Sequence, residues 1–278
     1  MFKIVKKRIL TPVTKLFEVD AALVAKKAQP GQFVVVRVTE KGERIPLTVA
    51  ATDPGRGTVT IVVQEVGKTS SMLGRLEEGQ DLLDFAGPLG KPAPLLDSGH
   101  VVVVGGGFGV APILPIAKAL KSRGVKVTGI VGARTKDLLI LRDELAESCG
   151  EVLVATDDGS LGTKGLVTDV LKKELIDQGV KIDQVIAIGP MVMMRAVAEA
   201  TRPYNLKTLV SLDPIMVDGT GMCGACRCTV EGKTRFACVD GPIFDAHKVD
   251  FDEAVRRGKM YAAEQRVAFD RYKAEVAK

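Results

Sequence analysis

The chain has 278 residues, room for two domains of ordinary size or two with a small appendage. Hydrophobic residues make up 46% and charged residues 26%, a globular composition that excludes a disordered or collagen-like chain. Lys+Arg 39 against Asp+Glu 34 leaves +5, too mild a surplus to imply nucleic acid as a partner, and only 9 Phe, 3 Tyr and no Trp supply base-stacking surfaces. The start, MFKIVKKRILTP, is basic but has no apolar run behind it and does not read as a signal peptide. The longest uncharged stretch, Val101 to Ala117, contains four glycines and two prolines and falls short of a membrane span. The expectation is a cytoplasmic protein with no membrane contact. Clustered cysteines in that compartment point to metal rather than disulfides.

From Phe2 to about Leu83 the pattern is β-like. FKIVKKRI, TKLFEVD, QFVVVRV and TVTIVVQEV are rich in β-branched residues and are separated by the turn signals PG, KG and DPGRG. This predicts an antiparallel barrel or sandwich, interrupted by one short helix around Ser70 to Leu76 and closed by the joint AGPLGKPAPLLDSG. From His100 to about Leu212 the period changes. VVVVGGG is a fully apolar strand, APILPIAKALKSRG a helix, and VKVTGIVGA, EVLVATD, QVIAIG and KTLVSL are further strands alternating with helices. About five such strands predict a doubly wound parallel sheet covered on both faces. From Asp213 the cysteine segment begins, ending in a mixed-charge helix over Phe251 to Tyr272 with Phe251, Val255, Tyr261 and Phe269 available to pack. The expected domains are therefore 1–97, 98–212 and 213–278.

Directly after the first parallel strand stands GGGFGVAP. Glycines there (Gly106, Gly107, Gly109, then Val110) let the backbone approach a pyrophosphate at a helix N-terminus, although a glycine turn that merely packs helix on strand reads the same. No acidic residue ends the second strand. Arg134 stands at its tip instead, suited either to a 2′-phosphate or to a salt bridge with Asp137 or Glu144, so NAD and NADP both remain open.

Four of the five cysteines lie between Cys223 and Cys238. Plant-type [2Fe–2S] sites use C-x4-C-x2-C with a distant fourth cysteine. Here the position of the first cysteine is Asp218, giving D-x4-C-x2-C-x11-C through Cys223, Cys226 and Cys238. That predicts three thiolates and one carboxylate. Cys228, at strand period two from Cys226, is the rival ligand or a small core residue, and Asp218 also reads as a turn residue before Gly219. Tetrahedral zinc is the alternative metal, which would make the chain a zinc-bearing nucleotide-sensing module.

The β-segment adds Arg44-Ile-Pro-Leu-Thr48 and Gly67-Lys-Thr-Ser70, each compatible with an anion site or with ordinary turn chemistry. Together these motifs resemble the ferredoxin–NADP reductase superfamily over nearly the whole chain. More closely, the chain is similar to electron-transfer subunits of the dihydroorotate dehydrogenase type. Ile188 and Asp218 stand where that type has cysteines, and in both it looks like the small subunits of NADH-dependent reduced ferredoxin:NADP oxidoreductases (the sulfide dehydrogenase group).

The resemblance implies FAD on the barrel, held by Arg44, Pro46, Leu47 and Thr48 with an extra residue between Arg and Pro, by the strand Val62, Val63 and Gln64, and by the phosphate turn Gly67, Lys68, Thr69 and Ser70. It implies NAD(H), with NADP(H) not excluded, at the glycine loop, at Asp157 and Asp158 of TDDGSLGTKG, and at Gly189, Pro190 and Met191. It further implies hydride exchange between NAD(P)H and FAD, and single electrons passing through a [2Fe–2S] cluster to or from a larger flavin and [4Fe–4S] subunit. Ferredoxin is reached only through that partner. With His100 and His247 the only histidines, no residue of this chain is expected to act as an acid–base catalyst.

Overall fold

The computed structural model describes residues 1–277. The first segment runs β1 (Phe2–Thr11), β2 (Thr14–Asp20), α1 (Ala22–Lys27), β3 (Phe33–Arg37), β4 (Arg44–Asp53), β5 (Thr58–Gln64), α2 (Lys68–Gly74), β6 (Asp81–Leu82) and β7 (Asp84–Leu89). Its seven strands pair antiparallel in the order β6-β1-β2-β5-β4-β3-β7, a nearly closed barrel. Alternation along β2 buries Phe17 and Val19 inside, against Ile4, Val34, Val49, Val59 and Ile61. The predicted short helix exists but starts two residues earlier than expected, at Lys68.

The second segment holds β8 (His100–Gly106), α3 (Val110–Ser122), β9 (Lys126–Ala133), α4 (Arg142–Ala146), β10 (Glu151–Thr156), β11 (Thr163–Lys164), α5 (Val167–Val170, continuing as a wider helix through Ile176), β12 (Gln184–Ile188), α6 (Met191–Thr201) and β13 (Thr208–Ser211). All seven residues of β8 and all five of β12 are buried, as an apolar strand covered on both faces requires. The parallel order β11-β10-β9-β8-β12-β13 reverses direction between β8 and β12. Open α/β sheets bind ligands at that point, outside the carboxyl ends of the strands. The barrel is joined to this sheet by a common core in which Ala50 and Val62 pack with residues of β8 and α3.

The third segment comprises β14 (Arg227–Val230), β15 (Lys233–Phe236), α7 (Ala237–Asp240), β16 (Ile243–Asp245), α8 (Phe251–Gly258) and α9 (Ala262–Val276). The hairpin β14–β15 carries Cys228, and β16 then returns to pair antiparallel with β13, pinning the cysteine segment to the edge of the large sheet. The single helix expected over Phe251 to Tyr272 is two helices, broken where Tyr261 takes φ +63°, a left-handed conformation that a bulky residue rarely adopts. Phe251 is buried, whereas Tyr261 is exposed. Among the described residues no helix is long and apolar enough to cross a membrane.

Candidate functional site

One cavity of about 810 Å³ opens where the three segments meet. The barrel contributes Ile45 to Thr48 from β4, Val63 and Gln64 from β5, and the turn Gly67 to Ser70. The parallel sheet contributes Gly106 to Gly109 after β8 and Ile188 to Pro190 after β12, on either side of its switch point. Leu212, Asp213 and Met216 lead from the cavity wall toward Asp218, and α9 adds a further wall. These two glycine loops and the β4, β5 and α2 motifs are thus brought to one place.

The turn before α2 is shaped by its own hydroxyls. Ser70 Oγ accepts from the amides of Val66 and Gly67 at 3.0 Å each, and Thr69 Oγ1 donates to Glu43 Oε2 at 2.6 Å. Ser70 and Thr69 therefore fix the backbone, leaving Lys68 and the first-turn amides, which lack intrahelical acceptors, to meet a ligand. Gly67 has an extended backbone at φ −153° that any residue adopts, and no protein atom lies within 4 Å of where its Cβ would be. The space left open at Gly67 belongs to the cavity. This fits a dinucleotide approaching the backbone closely.

Other expected binding residues fall elsewhere. Arg44 is exposed and outside the cavity lining, where Ile45 stands instead. Val62 is buried in the core between barrel and α3, and Val110 in the first turn of α3, so both support the wall from behind. Met191 packs against the sheet core. Arg134, Asp157 and Asp158 lie exposed at the ends of β9 and β10, outside the main cavity. Glu144, one of the two carboxylates considered for Arg134, pairs with Arg8 at 2.5 Å, and among the described residues Arg134 makes no ion pair. Asp158 accepts from the Ser160 amide and hydroxyl, which holds its carboxyl below the usual range.

Asp213 was not anticipated from the sequence. Its side chain is exposed at the cavity mouth, and partial desolvation by the surrounding wall pushes its carboxyl up to about 6. Both histidines lie outside the cavity, and His247 Nε2 stands 3.0 Å from Thr201 Oγ1. His100 sits at the opposite end of the sheet, its Nδ1 2.9 Å from the Lys181 carbonyl and its Nε2 2.8 Å from Thr128 Oγ1, with burial lowering its pKa.

In the cysteine loop, Gly219, Gly221 and Gly224 all take positive φ. A Cβ on Gly219 would meet Leu89 and Val35, so this loop is pressed directly against the barrel. Cys226 Sγ and Cys238 Sγ lie 3.1 Å apart and are buried, while Cys223 is exposed. Asp218 accepts from the Thr220 and Cys223 amides at 2.9 Å each. Cys228 faces its own hairpin, its thiol 3.7 Å from the Arg235 carbonyl, and burial pushes it up to about 11. Among the described residues no three ligating side chains are closed around one point. The donor set nevertheless fits an iron–sulfur cluster: two paired thiols, a third on a glycine-rich loop, and a carboxylate tethered to that loop. Arg257 of α8, also unanticipated, donates to the Ala225 carbonyl at 2.9 Å and clasps the loop between Cys223 and Cys226.

The chain is 48% identical over 270 residues to a dihydroorotate dehydrogenase B (NAD(+)) electron transfer subunit homolog of Thermotoga maritima, covering 97% of this chain and 95% of that one. It is 38% identical over 256 residues to the corresponding electron transfer subunit of Geobacillus kaustophilus, covering 88% and 96%. The chain belongs to the dihydroorotate dehydrogenase B electron transfer subunit family. Within it, residues 1–93 match an oxidoreductase FAD-binding domain, 103–199 an oxidoreductase NAD-binding domain, and 213–250 the iron–sulfur cluster binding domain of dihydroorotate dehydrogenase B. A solved structure described as an NADH-dependent reduced ferredoxin-NADP oxidoreductase matches with TM-score 0.93 and 47% identity over 98% of both chains. This family member is thus an oxidoreductase flavoprotein that binds FAD, NAD and an iron–sulfur cluster, as the motifs led one to expect. Its last helix, α9, lies beyond all three family models.

Proposed function

We propose that this chain exchanges a hydride between NAD(H) and FAD and passes the electrons singly through a [2Fe–2S] cluster to or from a larger flavin and [4Fe–4S] partner subunit in a flavin-based bifurcating complex, with ferredoxin served by the partner. The carrying observation is the single cavity that joins the barrel turn, both glycine loops and the approach to the cysteine loop. When bound, the flavin supplies the exchange between two-electron and one-electron transfer, and the cluster supplies the one-electron exit.

The chain's own residues position and insulate. Pro46, Leu47, Thr48, Val63 and Gln64 form the barrel wall, and Lys68 with the Gly67 turn meets the phosphates. Gly107, at φ +54° with no protein atom near its missing Cβ, leaves the nicotinamide nucleotide a close backbone approach beside Gly189 and Pro190. Asp218, Cys223, Cys226 and Cys238 hold the cluster, and Cys228 stays out of its ligand set. A carboxylate ligand carries a harder, more localised charge than a thiolate and shifts the cluster potential.

Iron, zinc and flavin analysis with a visible spectrum tests the assignment. The expected result is a coloured protein with about two irons and one flavin per chain. A colourless zinc protein would overturn it. Asp218→Cys should keep the iron but move the midpoint potential, and Cys228→Ser should change neither; the reverse pattern reassigns the fourth ligand. Purification from the native source should recover a second, larger subunit. Dihydroorotate-dependent NAD reduction by that complex would favour the second reading, a dihydroorotate dehydrogenase, which the Geobacillus kaustophilus relative supports.

A further inference from the structure

Helix α9 is a fifteen-residue helix with no buried residue, so its own packing does little to hold it. Helices of ~12–15 residues are marginal in water without such packing. One of its faces is nevertheless committed. Ala262, Gln265, Arg266 and Phe269, at successive helical turns, line the cofactor cavity, and Tyr272 on the same face lies under the Arg75 guanidinium at 5.8 Å from the ring centre. Arg75 caps the end of α2, the helix that opens at Gly67. Helix α9 is thus anchored to the phosphate-turn helix and roofs the barrel side of the cavity.

We propose that α9 is a clamp on the adenosine diphosphate half of the bound flavin dinucleotide, with Arg266 and Gln265 contacting its phosphate–ribose portion and Phe269 packing on its apolar surface. This rests on the assignment of FAD to the barrel. Charge supports it: Lys68 from the turn and Arg266 from the roof are the cations of the lining, and a diphosphate bound between them would be met from two sides. Position favours the flavin over the nicotinamide nucleotide, which carries the same adenylate chemistry, because the anchor of α9 is α2 and not the parallel sheet. The break at Tyr261 lets the helix leave the line of α8 and turn over the cavity.

The test uses the full holoprotein and the variants Arg266→Ala and Tyr272→Ala, with a chain ending at Lys259 as a third. Flavin release on dilution is followed by flavin fluorescence after loading with FAD or, separately, with FMN, which lacks the adenylate. NADH dissociation constants and circular dichroism are recorded in parallel. The expected result is FAD release about tenfold faster in Arg266→Ala and faster still in the shortened chain, with FMN release, NADH binding and fold unchanged. Equal acceleration for FAD and FMN, or none for either, would overturn the clamp. Weakened NADH binding with unchanged FAD release would also overturn it, by handing the helix to the nicotinamide nucleotide. A parent chain that retains no flavin at all would count against the FAD assignment itself rather than against the clamp.

Discussion

At Gly109 a side-chain carbon would overlap the carbonyl of Ile188, whereas at Gly67 it would meet no protein atom within 4 Å. Both glycines line the same cavity, one on the parallel sheet and one on the barrel. Gly109 is glycine because β12 must pass close behind the loop that follows β8. Gly67 is glycine although neither its backbone nor its neighbours require it. A glycine-rich loop therefore carries two separable demands, packing and ligand approach: the turn after β8 meets the first at Gly109 and the second at Gly107, whereas the barrel turn at Gly67 meets only the second.

Breaking the packing demand should have the largest effect. Gly109→Ala places a carbon against backbone that cannot move without displacing a buried central strand, and overpacking of that kind costs ~3 kcal/mol or more. The expected outcome is a large fall in the thermal midpoint of the chain, with or without nucleotide. An unchanged midpoint would mean that β12 yields freely and that the sheet end is softer than its burial indicates. Gly67→Ala should do the opposite. Its midpoint in flavin-free protein should match the parent, while flavin affinity falls about tenfold, ~1.4 kcal/mol, measured by fluorescence titration. If stability falls and affinity does not, the two turns are alike and the comparison fails.

The same contrast explains what could be read from the residues alone. VVVVGGG announced both β8 and its glycine turn, because a fully buried strand and the turn after it are local features. The strand β16, three residues long, could not be seen: its pairing depends on the free edge of β13, far away in the chain. At the break before α9, Gly258 marks where α8 ends, but nothing in the local pattern places the left-handed residue at Tyr261. Arg44 illustrates a finer limit. The arginine is exposed and outside the cavity lining, while its neighbours Glu43 and Ile45 both reach the cavity, so the motif's spacing did not reveal which of these residues faces the ligand. Asp213 and Arg257 became visible only when folding brought them to the cavity and the cysteine loop.

Arg134 tests whether side chains add selectivity to what these backbone turns provide. It stands at the end of β9 without a carboxylate partner among the described residues, where a ribose 2′-phosphate is reached in doubly wound domains. Arg134→Ala is expected to weaken NADPH binding about tenfold and NADH binding by less than about twofold, a difference of about one charge-assisted hydrogen bond. Equal weakening of both nucleotides would assign the arginine to the shared diphosphate instead.

The smallest expected effect concerns the cavity wall between the two turns, at Asp213. Its carboxyl has an ordinary value of 3.8 and is raised to about 6 by burial, with no charged neighbour contributing. Between these values the folded chain keeps a proton that the unfolded chain has released, so the native state binds more protons and stability falls as pH rises through the window. Above it the whole cost of an ionised carboxylate facing a poorly solvated wall is present; below it both states are protonated and the cost vanishes. Asp213→Asn replaces the acid with a neutral group of the same shape. In nucleotide-free protein its thermal midpoint should therefore exceed the parent's above about pH 7 and converge with it below about pH 4. Because Asp213 opens toward the cavity, water within screens part of its charge, and the gain should be smaller than the losses at the two glycine turns. Parallel curves at all pH values would show that the wall at Asp213 is fully wet and that its carboxylate meets no desolvation there.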